Sequence, residues 1–241
     1  MEWSDEGVVV GVRSHGETAA VVDLFTRAHG RHSGLVHGGR SRRLRPVLQI
    51  ANHVDATWKA RLADNLGHYN IELRRGFAAP LMEDAAALTA VTSMSALLRL
   101  LPERDPHPNL FEITLFVLGY LGDAAVWPAL MVRWELALLD ELGFGLDLAT
   151  CAATGTKADL IYVSPKSGRA VCAEAGEPYN ERLLTLPRFL RAGGAPGEVG
   201  GQDIAAGFAL TGHFLEVRVL KPHNLGMPEA RDRLLSYLRQ T

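Results

Sequence analysis

Apolar positions in this chain follow one rhythm up to about residue 75 and another after it. The early apolar runs are short and rich in β-branched residues. "GVVVGVRS" (Gly7–Ser14) and "ETAAVVDLFT" (Glu17–Thr26) flank the turn Ser14-His15-Gly16 and predict a hairpin. "RHSGLVH" (Arg31–His37) follows Gly30 as a third strand. "VLQIANHVDATWKARL" (Val47–Leu62) is long enough for a bent or bulged fourth, and "LGHYNIELRR" (Leu66–Arg75) makes a fifth. Five short strands with no helical period between them predict a small β-barrel of the OB-fold type, and an SH3-like barrel fits the pattern almost as well.

From Leu81 the period lengthens. Leu88, Val91, Met94, Leu98 and Leu101 follow three-and-four spacing and predict a helix over 82–101, which the prolines of "PERDPHPN" (Pro102–Asn109) interrupt. "LFEITLFVLGYLG" predicts a second helix. A third starts near Pro128, buries Leu130, Trp134, Leu138 and Leu142, and ends at Gly143 or Gly145. Residues 145–178 read as irregular apart from a strand-like "LIYV". "YNERLLTLPRFLRA" predicts a short helix broken at Pro187, and "GGAPGEVGG" (193–201) a flexible connector. Helices resume over about 203–220 and 228–239. The expected architecture is α+β and multi-domain: a five-stranded barrel over 1–80, then a mostly α-helical domain over 81–241 that includes the irregular segment 145–178.

Of the 241 residues, 47% are hydrophobic, enough for a sizeable core. No apolar run reaches the roughly 18 residues of a membrane span, and "MEWSDEGV" lacks the apolar stretch of a signal peptide. These features predict a cytoplasmic protein. The net charge of −2 divides unevenly: residues 1–80 hold eleven Lys/Arg against eight Asp/Glu, or +3, leaving −5 for the remainder. A polyanion is therefore expected at the N-terminal end.

Sequence motifs for catalysis are missing. Nothing matches G-x-x-x-x-G-K-[ST], G-x-S-x-G or H-E-x-x-H, so a non-enzymatic role without a cofactor is expected. His29, His32 and His37 lie close together but lack metal-ligand spacing. Cys151 and Cys172 each begin a segment where a zinc-ribbon pair would sit, in Cys151-Ala-Ala-Thr154 and Cys172-Ala-Glu-Ala175. A structural zinc site uses four ligands, and here Thr and Ala stand where the second member of each pair belongs, so zinc is not expected.

The strongest chemical signal is "HGGRSRRLRP", with Arg40, Arg42, Arg43 and Arg45 within six residues. No acidic residue lies between Asp23 and Asp55, while Arg27, Arg31, Lys59 and Arg61 extend the basic region. Phosphates are the natural counter-charge, because guanidinium forks match their oxygens and counterion release drives binding. Trp58, Phe25 and Tyr69 are candidates to stack bases, and equally candidates for the barrel core. No helix-turn-helix or C₂H₂ pattern accompanies the arginines, so backbone binding is expected rather than base reading.

Several stretches resemble the bacterial RecO family of recombination mediators. They are "FGLDLATCAATG" (Phe144–Gly155), "YVSPKSGRAV" (Tyr162–Val171), "AGEPYNERLLTLPRFL" (Ala175–Leu190) and "LTGHFLEVRVLK" (Leu210–Lys221), together with Gly7–Gly30, the arginine-rich turn and "WKARLADNLG" (Trp58–Gly67). The resemblance implies an N-terminal OB-fold and a helical domain. It implies a four-cysteine zinc site in some members, of which this chain keeps only Cys151 and Cys172, making the segment a degenerate zinc finger. It also implies binding of single- and double-stranded DNA, annealing of complementary strands, and work with RecR to load RecA onto DNA coated by single-strand-binding protein (SSB). Contact with the acidic C-terminal tail of SSB is implied too, with Arg133, Arg182, Arg188 and Lys221 as candidate cations. Lys166 and Arg169 are candidates to extend the DNA path. An adaptor that binds that tail and touches DNA only incidentally is the alternative.

Overall fold

The computed structural model describes residues 1–191 and 199–239. Most of the predicted connector, residues 193–198, lies outside them. Two compact units are present, Met1–Gly122 and Asp123–Thr241. The change of hydrophobic period near residue 80 marks where strands give way to helices. The division in packing falls after Gly122, because the first helices belong to the same compact unit as the strands.

In the first unit, β1 (Glu2–His15), β2 (Ala19–Thr26), β3 (Gly30–Val36), β4 (His53–Lys59) and β5 (His68–Arg75) form a closed barrel in the order β1-β2-β3-β5-β4. Closure depends on β1. Its first half pairs with β4, from Glu2 opposite Lys59 to Val8 opposite His53. Its second half pairs with β2, from Gly7 opposite Thr26 to His15 opposite Ala19, with a register shift between Val9 and Gly11. The bulge bends the strand from one partner to the other. It also explains why Val8, Val9 and Val10 are all buried. Val9 joins the barrel core with Val22, Leu24, Val54, Trp58 and Ile71. On β2, Phe25 lies outside that core cluster and packs on Phe111.

The acidic N-terminus is thus a barrel strand, longer than the Gly7–Ser14 run that its apolar residues predicted. The fourth strand is shorter than predicted. Residues 47–51 form turns, because Leu48 is taken into the barrel core and the buried Asn52 ties the chain down. Asn52 donates from Nδ2 to the carbonyls of Pro46 and Val47 and accepts at Oδ1 from the N–H groups of Phe77 and Ala78. Gly34 lies under Tyr69, where a Cβ would stand 2.4 Å from the ring.

After the barrel come α1 (Ala78–Leu81), α2 (Ala85–Leu98) and α3 (Pro108–Tyr120). Asp84 caps α2, its carboxylate accepting from the N–H of Ala87.

In the second unit, α4 (Trp127–Glu141) buries Trp127, Met131, Trp134 and Leu138. Leu130 and Leu142, predicted on that face, are only half-buried. The segment predicted to be irregular contains real structure. β6 (Leu160–Val163), β7 (Ala170–Cys172) and β8 (Leu184–Thr185) form an antiparallel sheet in the order β7-β6-β8, with the short α5 (Ala173–Gly176) after β7. The helix predicted around Pro187 is instead β8 flanked by 3₁₀ turns. The chain ends with α6 (Gly201–Phe214), a π-helical stretch Leu215–Leu220, and α7 (Glu229–Leu238).

α4, α6 and α7 meet at a buried ion pair. Arg231 Nε and Nη2 donate to the two Glu135 carboxylate oxygens at 2.8 and 2.9 Å. Nη2 also reaches the Phe208 carbonyl, and the Thr211 hydroxyl donates to the same carboxylate. Arg231 is 3% exposed and Glu135 fully buried. Removing either partner strands a charge in the core. Glu135→Ala and Arg231→Ala are each expected to destabilise the protein by about 3–5 kcal/mol. A Glu135→Leu/Arg231→Met double variant should lose much less than the sum, as read by denaturant melts in a double-mutant cycle.

A second prediction concerns His32 on β3. Burial, reinforced by Arg104 and His29, lowers its pKa from 6.5 to about 4, so the imidazole is neutral; its Nδ1 and the Tyr69 hydroxyl share a hydrogen bond of 2.9 Å. As pH falls below about 6.5 the unfolded chain takes up this proton before the folded one does, so stability declines down to about pH 4. Urea midpoints at about pH 7 and pH 5 should differ less in His32→Gln than in the parent protein.

Candidate nucleic-acid interface

The arginine-rich stretch is a folded cap on one end of the barrel. Residues 37–51 form successive turns, with helical bonds from Arg45 N–H to Ser41 C=O and from Leu48 N–H to Leu44 C=O. Leu44, Val47 and Leu48 stand at i, i+3 and i+4, the spacing of one helical face, and pack on the barrel core. The cap is pinned to β1 at its bulge. Val9 N–H donates to Asn52 C=O and Ala51 N–H donates to Val9 C=O, both at 2.9 Å. Because the apolar face points inward, Arg40, Arg42, Arg43 and Arg45 remain outside, and all four are exposed.

Their partners set them apart. Elsewhere in this unit, most basic side chains are matched with carboxylates: Arg13 with Asp23, Arg27 with Glu6 and Glu112, Arg31 with Glu103, Lys59 with Glu2, Arg74 with Glu6 and Asp55, and Arg104 with Asp64, while Arg61, Arg75 and Arg99 have no such pair among the described residues. Among the described residues no carboxylate stands within ion-pair distance of the four cap arginines. Arg40 donates to the carbonyls of Gly16 and Glu17, which fixes it on the β1–β2 turn. A cleft of about 460 Å³ opens there, lined by Arg40, Arg45, Ser14 and Gln49 over Val12 and Leu48. A second cleft, of about 300 Å³, is lined by Arg43 and Lys59 with His37, His68, Thr57 and Asn70. The cap therefore places cations in two clefts, and the β1–β2 turn borders the first. In OB-folds this turn and the β4–β5 turn flank the oligonucleotide-binding face.

The eight predicted basic residues separate into groups. Arg40, Arg42, Arg43 and Arg45 share the cap, and Lys59 joins them through the cleft it lines with Arg43. Its 2.9 Å bond to Glu2 is between half-exposed groups and is easily exchanged. Arg61 is exposed on the β4–β5 turn. Arg27 and Arg31 lie at the other end of the β2–β3 hairpin, about 20 Å along the strands from the Ala20–Val36 pair. Both are engaged there. Arg27 and Arg74 outweigh the burial that pushes the Glu6 carboxyl up, and with His53 they hold it below its ordinary value. Lys166 and Arg169 lie in the second unit, on the β6–β7 turn. Arg169 pairs with Asp147 at 3.3 Å, and the Lys166 carbonyl accepts from Arg218.

The aromatic candidates are core residues: Phe25, Trp58 and Tyr69 are 0%, 2% and 5% exposed. Sequence reasoning missed the pairing of His37 with His68, ring centroids 5.6 Å apart beside Arg43 and Lys59. The three clustered histidines separate. His29 stacks on Trp3 and bonds Asp5, His32 is buried, and only His37 faces the cleft. Of the tail-binding candidates, Arg188 pairs with Asp203 and Lys221 with Glu216, Arg133 donates to the Phe189 carbonyl, and Arg182 is exposed.

In the second unit Cys151 Sγ and Cys172 Sγ are 3.5 Å apart and both are buried. The Thr154 hydroxyl lies 3.7 Å from Cys172 Sγ, and position 175 is alanine. Two thiols, a hydroxyl and a methyl do not make a tetrahedral zinc donor set. Among the described residues no three His, Cys, Asp or Glu side chains gather as a metal site, and no helix is long and apolar enough to cross a membrane.

Residues 1–77 match the family model described as Recombination protein O N terminal, and residues 82–225 match the one described as Recombination protein O C terminal. The chain is 55% identical to the DNA repair protein RecO of Methylobacterium nodulans over 235 residues, 96% of each chain. It is 54% identical to that of Methylorubrum extorquens over 240 residues, 98% of each. It is 52% identical to that of Rhodopseudomonas palustris, over 96% of this chain and 93% of the relative. Similar along both halves and nearly end to end, the chain belongs to the RecO family of DNA repair proteins.

Proposed function

We propose that the barrel cap binds the phosphate backbones of single- and double-stranded DNA without reading sequence, and that the protein uses this surface to anneal complementary strands. The observation that carries the proposal is the contrast in ion pairing. Among the described residues most other basic side chains of this unit have a carboxylate partner, whereas the four cap arginines have none and stand exposed on an apolar base. Guanidiniums held outward in this way exchange condensed counterions for phosphates. Annealing requires no bond to break. It requires two polyanions to approach, and a cationic surface screens their repulsion while base pairing supplies the specificity. The protein acts in this proposal as a non-enzymatic mediator of repair and recombination in the cytoplasm, at the nucleoid. Its proposed partners are RecR, the SSB tail and, through them, RecA; membership of the RecO family supports these.

Replacing Arg40, Arg42, Arg43 and Arg45 with alanine should lower the slope of log K against log salt by about 3 for single strands. At about 100 mM salt the affinity should fall on the order of 100- to 1,000-fold. The thermal melt should stay within a few degrees of the parent, since these side chains are exposed. Electrophoretic shifts and strand annealing across a salt series measure this, and an unchanged slope would remove the cap from the binding site. Tight binding of an acidic, apolar-ended peptide with negligible DNA affinity at the same salt would favour the adaptor instead.

A further inference from the structure

We propose that Cys151 and Cys172 are a reversible oxidation site, a dithiol that hydroperoxides convert to an intramolecular disulfide. The two sulfurs belong to segments 21 residues apart in sequence and yet stand 3.5 Å from each other. An approach of about 1.5 Å brings them to bonding distance. The backbone already registers the two segments. Cys172 N–H donates to Cys151 Sγ at 3.3 Å, and Ala152 N–H donates to the Ala170 carbonyl at 2.8 Å.

The pair is asymmetric. Burial pushes the Cys151 thiol up, but the Thr154 hydroxyl and the N–H groups of Cys172, Thr154 and Ala153 bring it down to about 6 from an ordinary 9.0. Cys151 is therefore the attacking sulfur and Cys172 the resolving one. Cys151 is buried, but the four residues that follow it, Ala152, Ala153, Thr154 and Gly155, are all exposed. Local opening of that turn admits a molecule as small as hydrogen peroxide.

The steps balance. The Cys151 thiolate attacks a peroxide oxygen, an S–O bond forms, the O–O bond breaks, and hydroxide leaves. The Cys172 sulfur then attacks the sulfenic sulfur. An S–S bond forms, the S–O bond breaks, and the departing hydroxide takes the Cys172 proton away as water. Two electrons pass from the two sulfurs to the peroxide. A dithiol reductant reverses the reaction.

The full-length protein treated with hydrogen peroxide should lose two hydrogens in intact mass, lose both free thiols, and regain them with dithiothreitol. In Cys172→Ser the sulfenic acid has no resolving partner and should be trapped by dimedone on Cys151. In Cys151→Ser, dimedone should label Cys172 at least tenfold less under the same treatment. Persistence of both thiols, or oxygen addition to the parent protein without the loss of two hydrogens, would overturn the proposal. The readout is sulfur chemistry alone and is indifferent to whether the barrel binds DNA.

Discussion

The open end of a five-stranded barrel has to be covered, and here the cover is amphipathic. Without Leu44, Val47 and Leu48 the core around Val9, Val22 and Val36 would meet water at that end. Fully burying a side chain such as Leu48 contributes roughly 1.5–3 kcal/mol and the half-buried Leu44 and Val47 add to it, more than the mutual repulsion of well-hydrated arginines at the surface. The apolar contacts therefore dictate the conformation and the charges follow from it. A helical turn that commits positions 44, 47 and 48 to the core leaves 42, 43 and 45 nowhere to go but outward. The bulge in β1 completes the arrangement. It frees the N–H and C=O of Val9 to bond Asn52 and Ala51 rather than a neighbouring strand. Strand closure, capping and display of charge thus share a single point of attachment.

Charge is partitioned around this frame in a way that composition conceals. Arg27, Arg31 and Arg74 help hold the other end of the β2–β3 hairpin and the strands beside it, where Glu6 lies half-buried among cations. Their field is largely cancelled within a few ångströms. Among the described residues no carboxylate pairs with the cap arginines, so their potential reaches about one Debye length into solvent, roughly 8–10 Å at ordinary salt. The distance from a protein surface to an approaching phosphate is of that order. Seven basic residues between positions 27 and 59 look equivalent in sequence, but only some of them present an uncompensated field.

The strand count and the helical region were legible because their apolar periods differ. The arginine cluster was legible because no carboxylate lies near it in sequence. What was not legible involved distant pairing. Glu6 and Glu103 take Arg27 and Arg31 out of the cluster across long stretches of chain, and no local pattern announces either contact. β1 begins at Glu2 because β4 supplies a partner, although Glu2–Glu6 has little apolar character of its own. Residues 47–51 carry the composition of a strand, yet the helical spacing of Leu44, Val47 and Leu48 was present in the sequence and outweighs it. The arginines dominate the composition at that point, but the aliphatic residues Leu44, Val47 and Leu48 decide the structure. Trp58 and Tyr69 were ambiguous for the ordinary reason that strand aromatics serve cores and binding faces alike.

The segment around the two cysteines is tied together by its backbone. Zinc would tie its two cysteine-bearing turns through four bonds. Here a backbone ladder does so: Asp147 N–H to Gly168 C=O, Ala170 N–H to Asp147 C=O, and Ala152 N–H to Ala170 C=O, with the Asp147–Arg169 pair outside them. The β7-β6-β8 sheet continues that ladder. Each such bond contributes about 1 kcal/mol, so several together replace part of what a metal would contribute, without requiring a particular ion. The same ladder brings the two sulfurs together. Two thiols held 3.5 Å apart by that ladder are placed for the proposed change of oxidation state, because the bonds that hold the segment are backbone bonds and not bonds to sulfur.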